Sequence, residues 1–356
     1  MADERAHCAR CGLAVHGKTE PISPGSRIDG RYVVDRRLGG SMGTVLLARD
    51  VHLERRVAIK LLPDIASTKQ RDAFEHEARA LASVRHDGVV AVHSFGVYGS
   101  QLFFTMEFVE GAALGAIIAE HSAHGTTVPL HRALDVLMSV SSGLSAVHAV
   151  GILHRDIKPE NIVIEAETGR AVLVDFGIAV SDTESTDIAV AGTPAFMAPE
   201  HIRGERPTVR SDVYSLGCTA YELLVGRVPF EGDLNQVMLG HLEREPRPPS
   251  VHHAWLEPFD AVILRALSKD PAARHPTIAA FRAELEHAGR NAFAQPEPIL
   301  SSQVTELAPM EHDAVRVLVV DDDPVFARIA ARAAQIAFAD TRVAVSRAKS
   351  GPAAVD

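Results

Sequence analysis

Asp156 lies in the stretch His154-Arg155-Asp156-Ile157-Lys158-Pro159-Glu160-Asn161, with a cation two places on and a side-chain amide five places on; Asp175-Phe176-Gly177 begins fourteen residues after Asn161. A carboxylate so placed can accept the proton of an attacking hydroxyl, and the side-chain oxygens of Asn161 and Asp175 are hard donors of the kind Mg²⁺ takes. These groups act together only if the chain folds back on itself between them. Apolar Ile162-Val163-Ile164 leads to a turn at Thr168-Gly169, and Ala171-Val172-Leu173-Val174 runs straight into Asp175. That pattern predicts a hairpin of two short strands that sets Asn161 beside Asp175.

Further elements stand upstream in an order that matters. Val57-Ala58-Ile59-Lys60 is an apolar run ending on a lysine, and Phe74, Ala78, Leu81 and Ala82 are spaced for one face of a helix over Asp72–Val84 that carries Glu77. Leu102-Phe103-Phe104-Thr105-Met106 reads as a strand entering a connector, Glu107-Phe108-Val109-Glu110-Gly111. In this order, from about Arg27 to His287, the chain resembles protein kinases of the bacterial serine/threonine class.

The resemblance implies an α+β, two-lobed fold: a small antiparallel-sheet N-lobe with one main helix and a larger helical C-lobe. It implies ATP and Mg²⁺ as cofactors. Lys60 then holds the α and β phosphates and pairs with Glu77 in the active state, while Asn161 and Asp175 bind the metal. Met106 is the gatekeeper, the backbone of Glu107 and Val109 meets the adenine edge, and Val45, Ala58 and Val163 sandwich the ring. Asp156 is the base. Lys158 marks hydroxyl specificity for serine and threonine, and Thr193, in Gly192-Thr193-Pro194-Ala195-Phe196-Met197-Ala198-Pro199-Glu200, is placed to bond Asp156 and Lys158. Asp212 braces the catalytic loop, and Arg274 pairs with Glu200. The phosphate loop departs from the family: Leu38-Gly39-Gly40-Ser41-Met42-Gly43-Thr44-Val45 is one residue short of G-x-G-x-x-G-x-V. The loss falls in the turn, so the flanking strands are expected to keep their faces. Arg155, directly before the base, goes in this family with activation by phosphorylation; Ser181, Thr183, Ser185 and Thr186 are the hydroxyls in reach of that control, with Ser185 and Thr186 preferred.

Composition sets outer bounds. The chain has 356 residues, 46% of them hydrophobic, a length that allows a substantial core and more than one domain. No apolar run reaches the ~18 residues that span a bilayer, and Met1-Ala2-Asp3-Glu4-Arg5 is no signal peptide; a cytoplasmic location without membrane partners is the expectation. The formal net charge of −10 argues against nonspecific nucleic-acid binding. Protein substrates with Ser/Thr hydroxyls, self-phosphorylation and a transient dimer are the expected partners. Three cysteines exclude a disulfide scaffold; Cys8-Ala9-Arg10-Cys11 has half the spacing of a zinc ribbon, with His7 and His16 nearby, and reads as a tail without metal. Four segments are expected: a tail over 1–26, a kinase domain over 27–288, a Pro-containing linker over 289–314, and a last segment over 315–356. In that last segment Val315–Val320 is an apolar strand ending in Asp321-Asp322, followed by a helical stretch from Val325 to Phe338 and a strand from Arg342 to Ser346. This βαβ opening resembles part of a response-regulator receiver, too short to hold that family's phosphoacceptor. A signalling scaffold with weak or no phosphotransfer is the alternative to an active enzyme.

Overall fold

The computed structural model describes residues 6–7, 14–15, 22–39, 44–62, 68–99, 101–176, 193–294, 314–320 and 342–348. The chain divides into two units, Met1–Ala294 and Gln295–Asp356.

The first unit opens with two short paired strands, β1 (Ala6–His7) and β2 (Ala14–Val15), with His7 opposite Ala14. Cys8, Cys11 and His16 lie outside the described residues. Six antiparallel strands follow: β3 (Arg27–Ile28), β4 (Tyr32–Gly39), β5 (Thr44–Asp50), β6 (Arg55–Leu61), β7 (Val92–Tyr98) and β8 (Gln101–Glu107), in the order β3-β4-β5-β6-β8-β7. Alternation along the strands gives the sheet two apolar faces. One face packs Ile28, Tyr32, Val34, Leu46, Ala48, Val57, Ile59, Leu61 and Phe103 together. Tyr32 Oη reaches Ser94 Oγ on the far edge strand at 3.0 Å, so the sheet curls around this cluster. The other face carries Ala58, Phe104 and Met106, with Val45 packed on them, and meets helix α1 (Thr68–Ser83) through Phe74, Ala78 and Leu81.

The shortened glycine turn leaves that alternation intact. Gly39 pairs with Val45, the ladder slips in register between Val34 and Arg36 and again between Arg37 and Gly39, and Gly39 takes a φ of 132° that suits glycine. Val45 still faces the cluster of Ala58 and Met106 while Leu46 faces the opposite one, as expected of the flanking strands. Gly40 and Gly43 lie outside the described residues.

The C-lobe is helical around one small sheet. It contains β9 (Gly111–Ala113), α2 (Leu114–Ala123), α3 (Leu130–Ala149), β10 (Ile162–Glu165), β11 (Ala171–Leu173), α4 (Pro199–Ile202), α5 (Val209–Val225), α6 (Leu234–Glu243), α7 (Asp260–Ala266) and α8 (Ile278–Ala294). The expected hairpin is β10 against β11, in register from Ile162↔Leu173 to Ile164↔Ala171. Helix α5 is buried on nearly every side, as a helix at the centre of a lobe should be. It starts at a capping box between Thr208 and Ser211 and stops at Gly226, whose φ of 82° no side chain would favour. Helix α8 runs on to Ala294, past residue 288, and Ala292 beyond that point still packs against the lobe's core. The lobes are tied by backbone hydrogen bonds from Leu173 N–H to the Gly88 carbonyl (2.9 Å) and from Val90 N–H to the Leu173 carbonyl (3.0 Å). Among the described residues no helix is long and apolar enough to cross a membrane.

In the second unit, β12 (Ala314–Val320) and β13 (Arg342–Ala348) pair in parallel, from Ala314↔Arg342 to Val320↔Ala348. A parallel pair demands a crossover between its strands. The expected helix over 325–338, with Asp321 and Asp322, lies outside the described residues.

Candidate active site

The cleft between the lobes is floored by the β10–β11 hairpin, and its short strands do what their spacing predicts. Asn161 ends the turn before β10, Asp175 follows β11, and Val174 N–H bonds the Asn161 carbonyl at 2.9 Å, which fixes the two metal-ligand candidates side by side. Asn161 Nδ2 donates to the Asp156 carbonyl (2.7 Å) and to Asp156 Oδ2 (2.8 Å), and Lys158 Nζ meets the same Oδ2 at 2.8 Å. The candidate base is therefore oriented by an amide on one side and a cation on the other. With its NH₂ group spent on Asp156, Asn161 has its carbonyl oxygen to offer a cation. A Mg²⁺ held by that oxygen and Asp175 would draw its remaining ligands from phosphates and water.

The loop carrying Asp156 is held from beneath. Asp212, at the start of α5, accepts from the backbone N–H of His154 (2.9 Å) and of Arg155 (3.0 Å), and meets His148 Nε2 at 2.7 Å. Burial alone would raise the Asp212 pKa; the hydrogen bond from His148, with help from His154, holds it below the ordinary value. This anchor lets Arg155 take a φ of 64°, outside the usual range for a side-chain-bearing residue. Phe176 packs on His154 with ring centroids 4.5 Å apart, and burial drives the His154 pKa down, so the ring under the loop is neutral.

The roof differs from the expected active pairing. Lys60, buried on β6, pairs with Asp175 Oδ1 and donates to the Phe176 carbonyl at 3.0 Å. Glu77 on α1 instead faces Arg155, whose Nη2 lies 3.9 Å from Glu77 Oε1. Burial pushes the Glu77 carboxyl up to about 7 despite the opposing pull of Arg155. Lys60, Glu77, Arg155 and Asp175 thus form two pairs across the cleft, and exchange of partners would give the Lys60–Glu77 pair. The fold brings the Asp175 carboxylate to Lys60, while the buried Glu77, its carboxyl raised to about 7, faces Arg155.

The residues expected to line the adenine side are placed as follows. Ala58 pairs with Met106 across β6 and β8, both buried, and Val163 lies half-buried on the hairpin opposite. Val109 is almost fully buried, and Leu38 stands exposed at the edge before the glycine turn. Glu107 gives its N–H to the Ala91 carbonyl at 2.8 Å, which ties the start of the connector to the N-lobe. Thr193 begins the turn Pro194–Phe196, its carbonyl accepting from Phe196 N–H at 3.2 Å; its bond to Asp156 and Lys158 stays an expectation of the family.

Two features escaped the sequence reading. Arg170, in the hairpin turn, binds Glu107 Oε1 (2.5 Å), Glu165 Oε1 (3.0 Å) and the Asp87 carbonyl (3.2 Å), so one guanidinium ties the connector to both lobes. From the N-lobe side Arg56 reaches Glu110 Oε2 at 2.5 Å and lies over Phe108 at 5.1 Å. Apart from Glu165, these partners are far from one another in sequence, and no local pattern announces them. The buried pair implied by the family resemblance is present: Arg274 holds Glu200 through Nη1–Oε1 (2.7 Å) and Nη2–Oε2 (2.8 Å).

Residues 32–283 match the model of the protein kinase domain. The chain is 40% identical over 278 residues to the serine/threonine-protein kinase PknB of Mycobacterium tuberculosis, covering 73% of this chain and 43% of that protein, and 39% identical over 272 residues to PknB of Mycobacterium leprae, covering 72% and 42%. It thus spans under half the length of these curated relatives. The crystal structure of the Mycobacterium tuberculosis PknI kinase domain superposes with a TM-score of 0.61 at 27% identity, over 76% of this chain and all of that one. The matched stretch contains the whole cleft from Val45 to Asp175, and the chain belongs to the protein kinase family.

Proposed function

We propose that this chain transfers the γ-phosphate of ATP to serine and threonine hydroxyls of proteins. The observation that carries the reading is the geometry at Asp156, whose carboxylate is fixed between Lys158 Nζ and Asn161 Nδ2, each at 2.8 Å. Asp156 accepts the proton of the substrate hydroxyl and orients it. Lys158, on the same oxygen, offsets charge gathering on the transferred group. Lys60 would leave Asp175 for the nucleotide phosphates and be steadied by Glu77, while Asn161 and Asp175 would hold a Mg²⁺, which would neutralise phosphate charge. Ala58, Val45, Val163 and Met106 cover the adenine, with Glu107 and Val109 at its edge, and the glycines Gly39, Gly40 and Gly43 let backbone approach the phosphates. ATP places this work in the cytoplasm.

Regulation and the C-terminal unit belong to the same reading. A phosphate on Ser185 or Thr186 adds about −1.5 to −2 charges and draws Arg155 away from Glu77, which frees Glu77 for Lys60. Self-phosphorylation within a transient dimer supplies it. Mass spectrometry after incubation with Mg²⁺-ATP should find phosphate there, and full activity with Ser181, Thr183, Ser185 and Thr186 all replaced by Ala would end this mechanism. The parallel register of β12 and β13 supports a receiver-like βαβ opening beyond the kinase domain. Thermal stabilisation by Mg²⁺-ATP combined with transfer of radiolabel separates an enzyme from a scaffold: both would show stabilisation, and only the enzyme would label a protein substrate.

A further inference from the structure

Phe108, Val109 and Glu110, which belong to no strand, carry the connector from β8 to β9. Each end is fixed by its backbone to its own lobe. Glu107 N–H bonds the Ala91 carbonyl beside β7 at 2.8 Å, and the Glu110 carbonyl accepts from Ala166 N–H, just past β10, at 2.9 Å. Gly111 is pressed onto β10, since a side chain there would lie 2.0 Å from the Ile164 carbonyl oxygen. The side chains run the opposite way. Glu107, at the N-lobe end, takes Arg170 from the C-lobe hairpin turn, and Glu110, at the C-lobe end, takes Arg56 from β6 of the N-lobe. Two ion pairs therefore cross the connector as straps, each tying one end of it to the opposite lobe.

The straps differ in strength. Arg170 Nε bonds Glu165 Oε2 at 3.2 Å, its Nη2 bonds Glu165 Oε1 at 3.0 Å and Glu107 Oε1 at 2.5 Å, and its Nη1 bonds the Asp87 carbonyl at 3.2 Å. The guanidinium is thus aimed by three separate acceptors. The side chains of Arg170 and Glu107 are 24% and 29% exposed, those of Arg56 and Glu110 52% and 66%. A pair as open as the second is screened by salt and contributes little, whereas the first keeps most of its charge-assisted bond. Both arginines stand away from the phosphate end of the cleft. Arg170 is at the turn of the β10–β11 hairpin, whose other end bears Asn161 and Asp175, and Arg56 is at the opposite end of β6 from Lys60.

We infer that Arg170, with Arg56 as its weaker partner, is a positioning residue for the base of the nucleotide: the crossed straps hold the backbone of Glu107 and Val109 where the adenine edge meets it. A connector fixed in advance loses no freedom when the base arrives, whereas a slack one must be ordered by the ligand at a cost in affinity. Because the straps act at the connector, they bear on the base and ribose and leave the phosphates alone. The inference rests on the proposed use of ATP, and it adds what sets the height of the connector.

The test is displacement of a fluorescent ATP analogue from the full chain by adenosine, ADP and ATP with Mg²⁺, a measurement that needs no phosphate transfer. Arg170→Ala should weaken all three about three- to tenfold and by one common factor, the scale of a single hydrogen bond. Arg56→Gln should weaken them about twofold in about 0.05 M salt and not in about 0.5 M, whereas the Arg170→Ala factor should persist in both. Exchange of the outer pair, Arg56→Glu with Glu110→Arg, should regain the affinity that Arg56→Gln loses at low salt. A factor that grows from adenosine to ATP would place the effect at the phosphates and overturn the inference, as would an unchanged affinity for adenosine. Wild type that binds the nucleotides while Arg170→Ala binds them equally ends the inference alone; wild type that binds none of them ends both the inference and the reading it rests on. Should Arg170→Ala not fold, Arg170→Gln takes its place, with the same common factor expected and unchanged adenosine affinity contradicting it.

Discussion

Arg274 offers the sharpest stability test, because its surroundings leave little room for compensation. Its side chain is buried and makes five hydrogen bonds: two to Glu200 (2.7 and 2.8 Å), and one each to the carbonyls of Ser268 (2.7 Å), Arg210 (2.9 Å) and Lys269 (3.2 Å). The guanidinium also lies 4.7 Å from the Tyr214 ring centroid. Burial by itself would raise the Glu200 pKa, and Arg274 with Ser211 reverses that, so removal of the arginine strands a buried carboxylate. Breaking a buried pair in this way costs about 3–5 kcal/mol, a large part of the ~5–15 kcal/mol that folds a domain. Arg274→Ala should therefore lose about 3–5 kcal/mol in urea unfolding followed by circular dichroism. The double replacement Arg274→Met with Glu200→Gln should recover part of the loss, since no ion is left unpaired. A loss below about 1 kcal/mol for Arg274→Ala would refute the reasoning, because it would mean Glu200 finds water or another partner.

Glu77 gives a pH dependence with a definite sign. Its carboxyl is raised from 4.5 to about 7, so it binds its proton more tightly folded than unfolded; that stabilisation is full below about 4.5 and is lost as pH rises through about 7. Glu77→Gln should match wild-type stability at pH 4 to within about 0.5 kcal/mol and exceed it at pH 8 by about 1–3 kcal/mol in paired unfolding curves, and equal stabilities at pH 8 would count against the buried carboxyl. Arg170→Ala should weaken ATP binding about three- to tenfold, the scale of one ordinary hydrogen bond, with little change in the KM for protein substrate. Titration with a fluorescent ATP analogue reads this directly, and unchanged affinity would show that the connector keeps its place without the guanidinium.

Local elements of the cleft were legible in the sequence because local rules build them. The β10–β11 hairpin, the apolar run into Lys60 and the helix bearing Glu77 each follow from short-range alternation or helical spacing, and each formed within a few residues of expectation. Pairing among charges was not legible in the same way. Lys60 meets Asp175 and Glu77 meets Arg155 because which of these charges face each other is set by how β6, α1 and the hairpin stack in three dimensions, which residue order does not encode. Arg170 illustrates the same limit, joining Glu107 across 63 positions. Helix α8 extends through Asn291–Ala294, a stretch the sequence reading assigned to the linker for want of a clear periodicity; Ala292 there still packs against the lobe's core.

The central claim is that Asp156 takes the proton of a serine or threonine hydroxyl while ATP gives up its γ-phosphate. Transfer of radiolabel from γ-labelled ATP to casein by wild type and by Asp156→Asn, followed by phosphoamino-acid analysis, tests it most directly. Asparagine preserves the size of the side chain and removes its basicity. Wild type should label serine and threonine, and the variant should fold with the same melting temperature to within a few degrees yet transfer about 10²–10⁴-fold more slowly. A variant that transfers at the wild-type rate, or a wild type that binds Mg²⁺-ATP and labels no hydroxyl, would contradict the account.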